Sequence, residues 1–221
     1  MWCPRRIRCW CRRPRMHPHR HRLDNERVRV LLRVLIVATV VIALIAVETT
    51  SRSGVLWRLI TFTYQANVVA AAYYSWSLYS ARGDDRAAVR GAVVLYVVVA
   101  GIIWNLLLTD YSMGYTPANI LLHIVVPVLV TVDWLVVGRG QRSIRWWQPL
   151  IWLIYPAAYV LLALLVLNTA GRRAPYYFLD PDSVGMVVVV TNIGLLAVFI
   201  LVLGYGISAV GRQRTGPPQP G

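Results

Sequence analysis

His123 and Thr63 are the two residues whose types and positions could do chemistry together. His123 is the only one of four histidines that lies in an apolar helical stretch, and the other three lie in the basic N-terminal segment. A titratable group at membrane depth costs roughly 3 kcal/mol or more unless it has a partner or a function. Thr63 lies in a polar run, residues 61–67, that interrupts another apolar stretch. A neutral His123 could take the proton of the Thr63 hydroxyl as that oxygen attacks an ester carbonyl.

Polar residues at helical spacing accompany this pair. Thr63 and Asn67 are four residues apart and so share a helix face, as do Asn119 and His123. Pro127 has no N–H, so it frees the backbone carbonyl of His123. Amide groups on the same helices could donate hydrogen bonds to the oxyanion that forms when an ester is attacked. The supporting polar pocket is predicted to contain Thr61, Gln65, Asn67, Asn119, Asn192 and Asp180.

The same residues also have structural interpretations. Threonine and asparagine in membrane helices commonly bond the backbone or bridge neighbouring helices, and Thr61 and Gln65 fit this role. A buried neutral His123 bonded to Asn or Thr is another structural solution. A ligand pocket without catalysis is a further interpretation. The residue types alone leave these interpretations open.

Several other chemistries lack the residues that they require. The sequence contains no Gly-x-Ser-x-Gly motif, which excludes the nucleophile elbow of soluble lipases. A membrane cytochrome uses paired histidine ligands, whereas one histidine lies in the apolar stretches, and the chain has no lysine for a retinal Schiff base. Cys3, Cys9 and Cys11 fit no zinc spacing. We therefore predict neither a metal nor another cofactor.

The elements that must position these residues are transmembrane helices. The 221-residue chain is 57% hydrophobic with a mean hydropathy of +0.55, a balance that soluble domains rarely reach. Apolar runs of about 20 residues are long enough to cross a bilayer. Six such runs are predicted, at Val28–Val47, Leu56–Tyr79, Val89–Leu108, Ala118–Val137, Gln148–Leu167 and Val184–Gly206. The predicted fold is an all-α, six-helix membrane bundle over residues 28–208, with a disordered basic tail (1–27) and a disordered C-terminal tail (209–221).

The charge distribution predicts the orientation of this bundle. The net charge is +14, and every basic residue is an arginine. The arginines concentrate in the N-terminal tail, in the second and fourth loops and near the C-terminus. Because positively charged loops stay on the cytoplasmic side, both termini are predicted to be inside, in a multi-pass protein of the plasma membrane. The basic tail is expected to meet anionic lipid headgroups rather than nucleic acid.

This orientation places three candidate residues at one depth. Predicted spans two, four and six all start at the outer face, and Thr63, His123 and Asn192 follow soon after those starts. At about 1.5 Å per residue, all three lie roughly 8 to 12 Å below the outer surface. The predicted site therefore opens outward, where water for hydrolysis is available.

Four sequence motifs occur in an order that resembles a known family. They are Phe62-Thr63-x-Gln65-x-Asn67, His123-x-x-x-Pro127 with Asp133-Trp134, Trp152-x-x-Tyr155-Pro156-x-x-Tyr159 and Pro175-Tyr176-Tyr177-Phe178-Leu179-Asp180. Over roughly Val30 to Tyr205, the chain resembles the androgen-induced-gene family of integral membrane proteins. The similarity is to its FAHFA-hydrolase-like members, which act on fatty acid esters of hydroxy fatty acids, and particularly to the bacterial six-span branch.

The resemblance implies hydrolysis of a lipid-like ester. Animal members use an intramembrane threonine and histidine, which implies Thr63 as nucleophile and His123 as base. A Trp-x-x-x spacing in animal members implies Thr61 instead, after Trp57. The last loop could cap the pocket, or anchor at the interface with Asp180 capping span six. The predicted function is a threonine-dependent fatty acyl ester hydrolase, with a non-catalytic lipid-binding or transport protein as the alternative.

Overall fold

The chain is helical throughout the part that the structure describes. The computed structural model describes residues 18–50, 58–80, 86–110, 114–137, 141–167 and 176–214, and no strand occurs within these ranges. In chain order, the helices are α1 (Pro18–Thr50), α2 (Phe62–Tyr79), α3 (Ala87–Leu108), α4 (Pro117–Val137), α5 (Gln148–Leu165), α6 (Pro181–Val184) and α7 (Met186–Arg214). Short π-helical segments interrupt or end α3, α4 and α5.

Five of these helices, α1, α3, α4, α5 and α7, are long and apolar enough to cross a membrane. The prediction of an all-α chain with several membrane-length helices is thereby confirmed. The predicted span Leu56–Tyr79 corresponds to α2, which has 18 residues and is not one of the five. It is also the helix that carries Thr63, Gln65 and Asn67. Thr63 and Asn67 are buried, whereas Val68, Val69 and Trp76 of the same helix are exposed.

The helix boundaries differ from the predicted ones at both ends of the chain. α1 begins at Pro18, so residues 18–27, which we expected in the disordered tail, are helical. α7 continues to Arg214, into the residues expected to form the C-terminal tail. The rest of the two predicted tails, residues 1–17 and 215–221, lies outside the described residues.

α3 is the central helix of the bundle. It packs against α2, α4 and α7, and α1 packs against α2 and α4 on the other side. Of the five membrane-length helices, α3 is the most deeply buried and α7 the least. Gly101 allows α3 and α4 to approach closely, since a Cβ at this position would lie 2.7 Å from the carbonyl oxygen of His123 and 2.9 Å from the Pro127 ring.

Two prolines free backbone carbonyls that α3 then satisfies. Pro127 in α4 cannot bond the carbonyl of His123, and that oxygen accepts a hydrogen bond from Asn105 Nδ2 at 3.3 Å. Pro156 in α5 cannot bond the carbonyl of Trp152, and that oxygen accepts from Tyr96 Oη at 2.9 Å. Since unpaired buried carbonyls are costly in an apolar environment, these two side chains fix α4 and α5 against α3.

A cluster of buried charged residues joins four helices at the end of the bundle away from His123. The carboxylate of Asp133 on α4 lies 3.7 Å from Arg33 Nε on α1 and 3.9 Å from Arg90 Nη1 on α3. Tyr74 Oη on α2 donates to Asp133 at 3.3 Å, and Arg33 donates to the carbonyl of Ser77 at 3.1 Å. Arg33, Arg90 and Asp133 are at most 1% exposed, so the pairing of opposite charges is what makes their burial tolerable.

α7 is anchored at both of its ends. Near its C-terminus, Gly211 allows Trp134 to pack against it, because a Cβ there would lie 2.9 Å from the indole ring. Trp134 Nε1 also donates to the carbonyl of Ile207 at 3.2 Å. In the N-terminal half, Asn192 Nδ2 donates to the carbonyl of Phe178 at 3.0 Å. Between these anchors, α7 contacts the start of α5 at Gly204, where a Cβ would lie 3.4 Å from Pro149 and 3.5 Å from Trp152, and a cavity separates the two helices toward Ile193.

Candidate functional site

A cavity of about 450 Å³ lies between α2, α3, α5 and α7. The side chains that line it are apolar except for three hydroxyl-bearing residues, Thr63, Tyr159 and Tyr176. The 3₁₀ turn Tyr177–Leu179 forms one end of the cavity. Ala157 and Leu161 on α5 line the cavity and are also exposed on the outside of the bundle. The cavity is therefore a side cleft between α5 and α7, on the surface that faces lipid in a membrane.

Thr63 lies in the wall of this cavity. Thr61 caps the N-terminus of α2, accepting a hydrogen bond from the backbone N–H of Tyr64, so that Thr63 falls in the first turn. Thr63 is 7% exposed, and its carbonyl accepts from Asn67 Nδ2 at 2.9 Å. The prediction that Thr63 and Asn67 share a helix face is confirmed by this bond.

Tyr176 is a hydroxyl-bearing neighbour of Thr63 from a distant part of the chain. Its hydroxyl is within hydrogen-bonding reach of Thr63, and its ring lies 6.0 Å from the Tyr159 ring between centroids. Burial raises the pKa of Tyr176, and hydrogen bonding to Thr63 acts in the opposite direction. The phenol is therefore protonated near neutral pH and can donate a hydrogen bond.

His123 lies outside the cavity wall. Its imidazole stacks on the indole of Trp104, with centroids 4.6 Å apart and planes 14° apart. Its Nδ1 lies 3.4 Å from the carbonyl oxygen of Ala100, a long contact that favours the neutral tautomer with the proton on Nδ1 and none on Nε2. Within the described part of the chain, no hydrogen bond joins His123 to Thr63. α2, which carries Thr63, contacts the segment Leu121–Val125 of α4 that contains His123.

Two further candidates on or near α2 have structural partners. The Thr61 hydroxyl donates to the carbonyl of Arg58 at 2.9 Å in addition to its capping role. Gln65 Nε2 donates to the carbonyl of Leu59 at 2.8 Å, and Gln65 Oε1 accepts from Tyr155 Oη at 3.0 Å. Gln65 thus connects the start of α2 to α5, which matches the structural interpretation of this residue.

The remaining predicted site residues, Asn119, Asp180 and Asn192, form hydrogen bonds at helix ends or to a neighbouring turn. Asn119 Nδ2 donates to the carbonyl of Gly114 at 2.8 Å at the start of α4. Asp180, 4% exposed, caps α6 by accepting from the backbone N–H of Asp182 at 3.1 Å. Asn192 holds the turn Tyr177–Leu179 through its bond to Phe178. Asp180 and Asn192 together position the turn that forms the end of the cavity.

Comparison with known proteins finds no family model, curated protein or solved structure that matches the chain. Among the described residues, no group of three or more His, Cys, Asp or Glu side chains is arranged to hold a metal ion.

Two features of the structure are not among the predictions from the sequence: the buried arginines that pair with Asp133, and the contact between Tyr176 and Thr63. Arg33 and Arg90 lie inside the predicted apolar runs Val28–Val47 and Val89–Leu108, where a charged residue signals a buried partner or a function. Asp133, in a third run, is their partner. The contact between Tyr176 and Thr63 joins residues that are far apart in sequence, and no local spacing indicates it.

Proposed function

We propose that this protein is an integral membrane protein that binds the hydrocarbon chain of a lipid in the cleft between α5 and α7. The observation that carries the proposal is the cavity itself, with a volume of about 450 Å³ and an almost wholly apolar lining. Small-molecule sites typically occupy about 300 to 1,000 Å³ and are lined mostly by apolar and aromatic side chains. A ligand already dissolved in the bilayer reaches this cleft without passing through water.

The proposal includes the membrane arrangement predicted from the sequence. α2 serves as the second of six spans, both termini lie inside, and the protein is a multi-pass component of the plasma membrane. Kinship with the androgen-induced-gene family remains part of this proposal. Support for the orientation comes from the arginine distribution, and support for α2 as a span comes from its packing between α1 and α3.

Ester hydrolysis is a second candidate function, and the position of Thr63 favours it. In this reaction, Thr63 Oγ1 attacks the ester carbonyl of a bound lipid and its proton passes to His123 Nε2. The alcohol leaves with that proton, and water then hydrolyses the acyl-threonine ester to a free acid. Tyr176 is the natural donor to the oxyanion, since its protonated hydroxyl lies at Thr63. Thr63 is a better nucleophile than Thr61, whose hydroxyl is committed to capping α2.

Hydrolysis requires the imidazole of His123 to reach Thr63, whereas binding requires no rearrangement. The His123 ring packs on Trp104 and contacts the carbonyl of Ala100, so catalysis needs a rotation of the ring or a bridging water. Binding of a hydrocarbon chain uses the cavity as it stands. For this reason, lipid binding is the primary proposal.

Binding is tested with a fluorescent polyene fatty acid added to the purified protein in lipid nanodiscs. Ala157 lines the cavity, whereas the adjacent Ala158 is exposed on α5 and does not. We expect Ala157→Trp to weaken binding at least about tenfold because the indole fills the cleft, and Ala158→Trp to bind as the wild type does. Equal affinity in all three proteins would rule out the cleft as the binding site.

Hydrolysis is tested by fluorophosphonate labelling and by release of free acid from a fatty acyl ester. We expect Thr63→Val to abolish both signals while leaving hydrocarbon binding intact, because the substitution keeps the shape of the side chain and removes the nucleophile. Thr61→Ala is the matched control and retains labelling. Hydrocarbon binding without labelling in the wild type would reject catalysis and retain the binding function.

A further inference from the structure

A second apolar groove lies on the other side of α7, between this helix and α3. It has a volume of about 420 Å³, and Leu106 and Leu195 on its two sides are 75% and 64% exposed. The groove therefore faces lipid in a membrane, like the cleft between α5 and α7. Three residues line both spaces, namely Ile103, Phe178 and Leu196.

Phe178 is the aromatic member of this shared wall, and its position is fixed from several sides. The ring is 7% exposed, stacks on Tyr176 with centroids 5.6 Å apart, and meets Tyr177 edge-on at 5.6 Å. Its carbonyl accepts from Asn192 Nδ2 on α7 at 3.0 Å. The turn that carries it closes with a bond from the backbone N–H of Leu179 to the carbonyl of Tyr176 at 3.0 Å. The Phe178 ring thus separates the cleft from the groove, and it is held in place by Tyr176, by Tyr177 and by the bond from its backbone to α7.

We propose that Phe178 determines the length of hydrocarbon chain that the cleft accepts. This inference rests on the proposed binding function and deepens it by naming a specificity-determining residue. In the wild type, a chain that enters between α5 and α7 extends until it meets the Phe178 ring. Once the ring is removed, the cleft continues into the groove between α3 and α7, and the end of a longer chain lies there.

The proposal predicts that affinity rises with chain length only up to a limiting length. This limiting length is called the break below. For saturated fatty acids of increasing length, compared at equal mole fraction in the bilayer, each methylene that packs in the cleft strengthens binding through van der Waals contacts rather than through transfer from water. The increase stops at the length that reaches Phe178, and longer chains bind no better or worse. In Phe178→Ala, the increase continues to longer chains by several methylenes, whereas short chains keep an affinity close to that of the wild type.

Three variants make the test specific. Phe199 lines only the groove, so Phe199→Ala enlarges the groove without joining it to the cleft and leaves the break unchanged. Phe178→Leu retains much of the separation between cleft and groove and moves the break less than Phe178→Ala does. Leu196→Ala opens the shared wall from α7 and provides a second route to the same result if Phe178→Ala folds poorly.

The outcomes separate this inference from the function on which it rests. If fatty acids of every length fail to bind the wild type, the binding function itself is wrong. If the wild type binds with a break that stays at one length in Phe178→Ala and Leu196→Ala, the binding function stands and the role of Phe178 is overturned. A break that moves equally in Phe199→Ala also contradicts the proposal, because a general loosening of the bundle then explains it.

Discussion

The imidazole of His123 lies parallel to the indole of Trp104, with ring centroids 4.6 Å apart. This stack occupies one face of the ring, and the contact of Nδ1 with the carbonyl of Ala100 occupies one edge. The backbone carbonyl of His123 bonds to Asn105, and Gly101 packs against it. His123 thus contributes to the contact between α3 and α4 through both its side chain and its main chain.

We expect His123→Ala to destabilise the protein by about 1 to 3 kcal/mol, because it removes a buried aromatic pair and leaves a void. His123→Phe keeps a ring on Trp104 and is expected to lie within about 1 kcal/mol of the wild type. Thermal unfolding in detergent measures both differences. Hydrocarbon binding is unchanged in His123→Phe, since the residue does not line the cleft. A strong loss of binding in that variant would contradict the separation of His123 from the cleft.

Thr61 is expected to act through the start of α2. Thr61→Ala removes the oxygen that accepts from the N–H of Tyr64, at a cost of about 1 kcal/mol in the free energy of unfolding. Thr61→Ser keeps a capping hydroxyl and is the matched control. Both variants bind hydrocarbon as the wild type does. An unchanged melting temperature in Thr61→Ala would show that the cap contributes nothing.

The contact between α3 and α4 leaves no space at Gly101. We expect Gly101→Ala to cost about 1 to 3 kcal/mol, because the added methyl group would meet the His123 carbonyl and the Pro127 ring. Gly194 on α7 is the control, since a Cβ there meets nothing within 4 Å. Gly194→Ala is expected to be neutral or slightly stabilising, as alanine is the better helix former. Melting temperatures in one detergent compare the two, and equal effects would refute the close packing at Gly101.

The buried charge cluster predicts strong, coupled effects on stability. Asp133→Asn removes the carboxylate that lies between Arg33 and Arg90, and we expect a loss of about 3 to 5 kcal/mol. Arg33→Gln in the same background restores part of that loss, because it removes one of the two cations. The measurement is a double-mutant cycle on unfolding free energies. Purely additive losses would show that the three charges do not interact.

Contacts within one helix could be predicted from the sequence, whereas contacts between helices could not. The four-residue spacing of Thr63 and Asn67 and the carbonyl freed by Pro127 are local consequences of helix geometry, and both are present. Thr63 and His123 were placed at one depth, but depth leaves open the direction in which a side chain leaves its helix. His123 turns toward Trp104 on α3, and Thr63 toward Tyr176. Which neighbour each residue meets depends on packing that no single-helix pattern encodes.

The carbonyls freed by the prolines of α4 and α5 both find their partners on α3, at Asn105 and at Tyr96. A ribosome synthesises α3 before either of those helices. Each proline-containing segment therefore follows the helix that carries the donor for its freed carbonyl, and pairing of that carbonyl requires no segment synthesised later. The order of the segments along the gene is thus also a workable order of assembly.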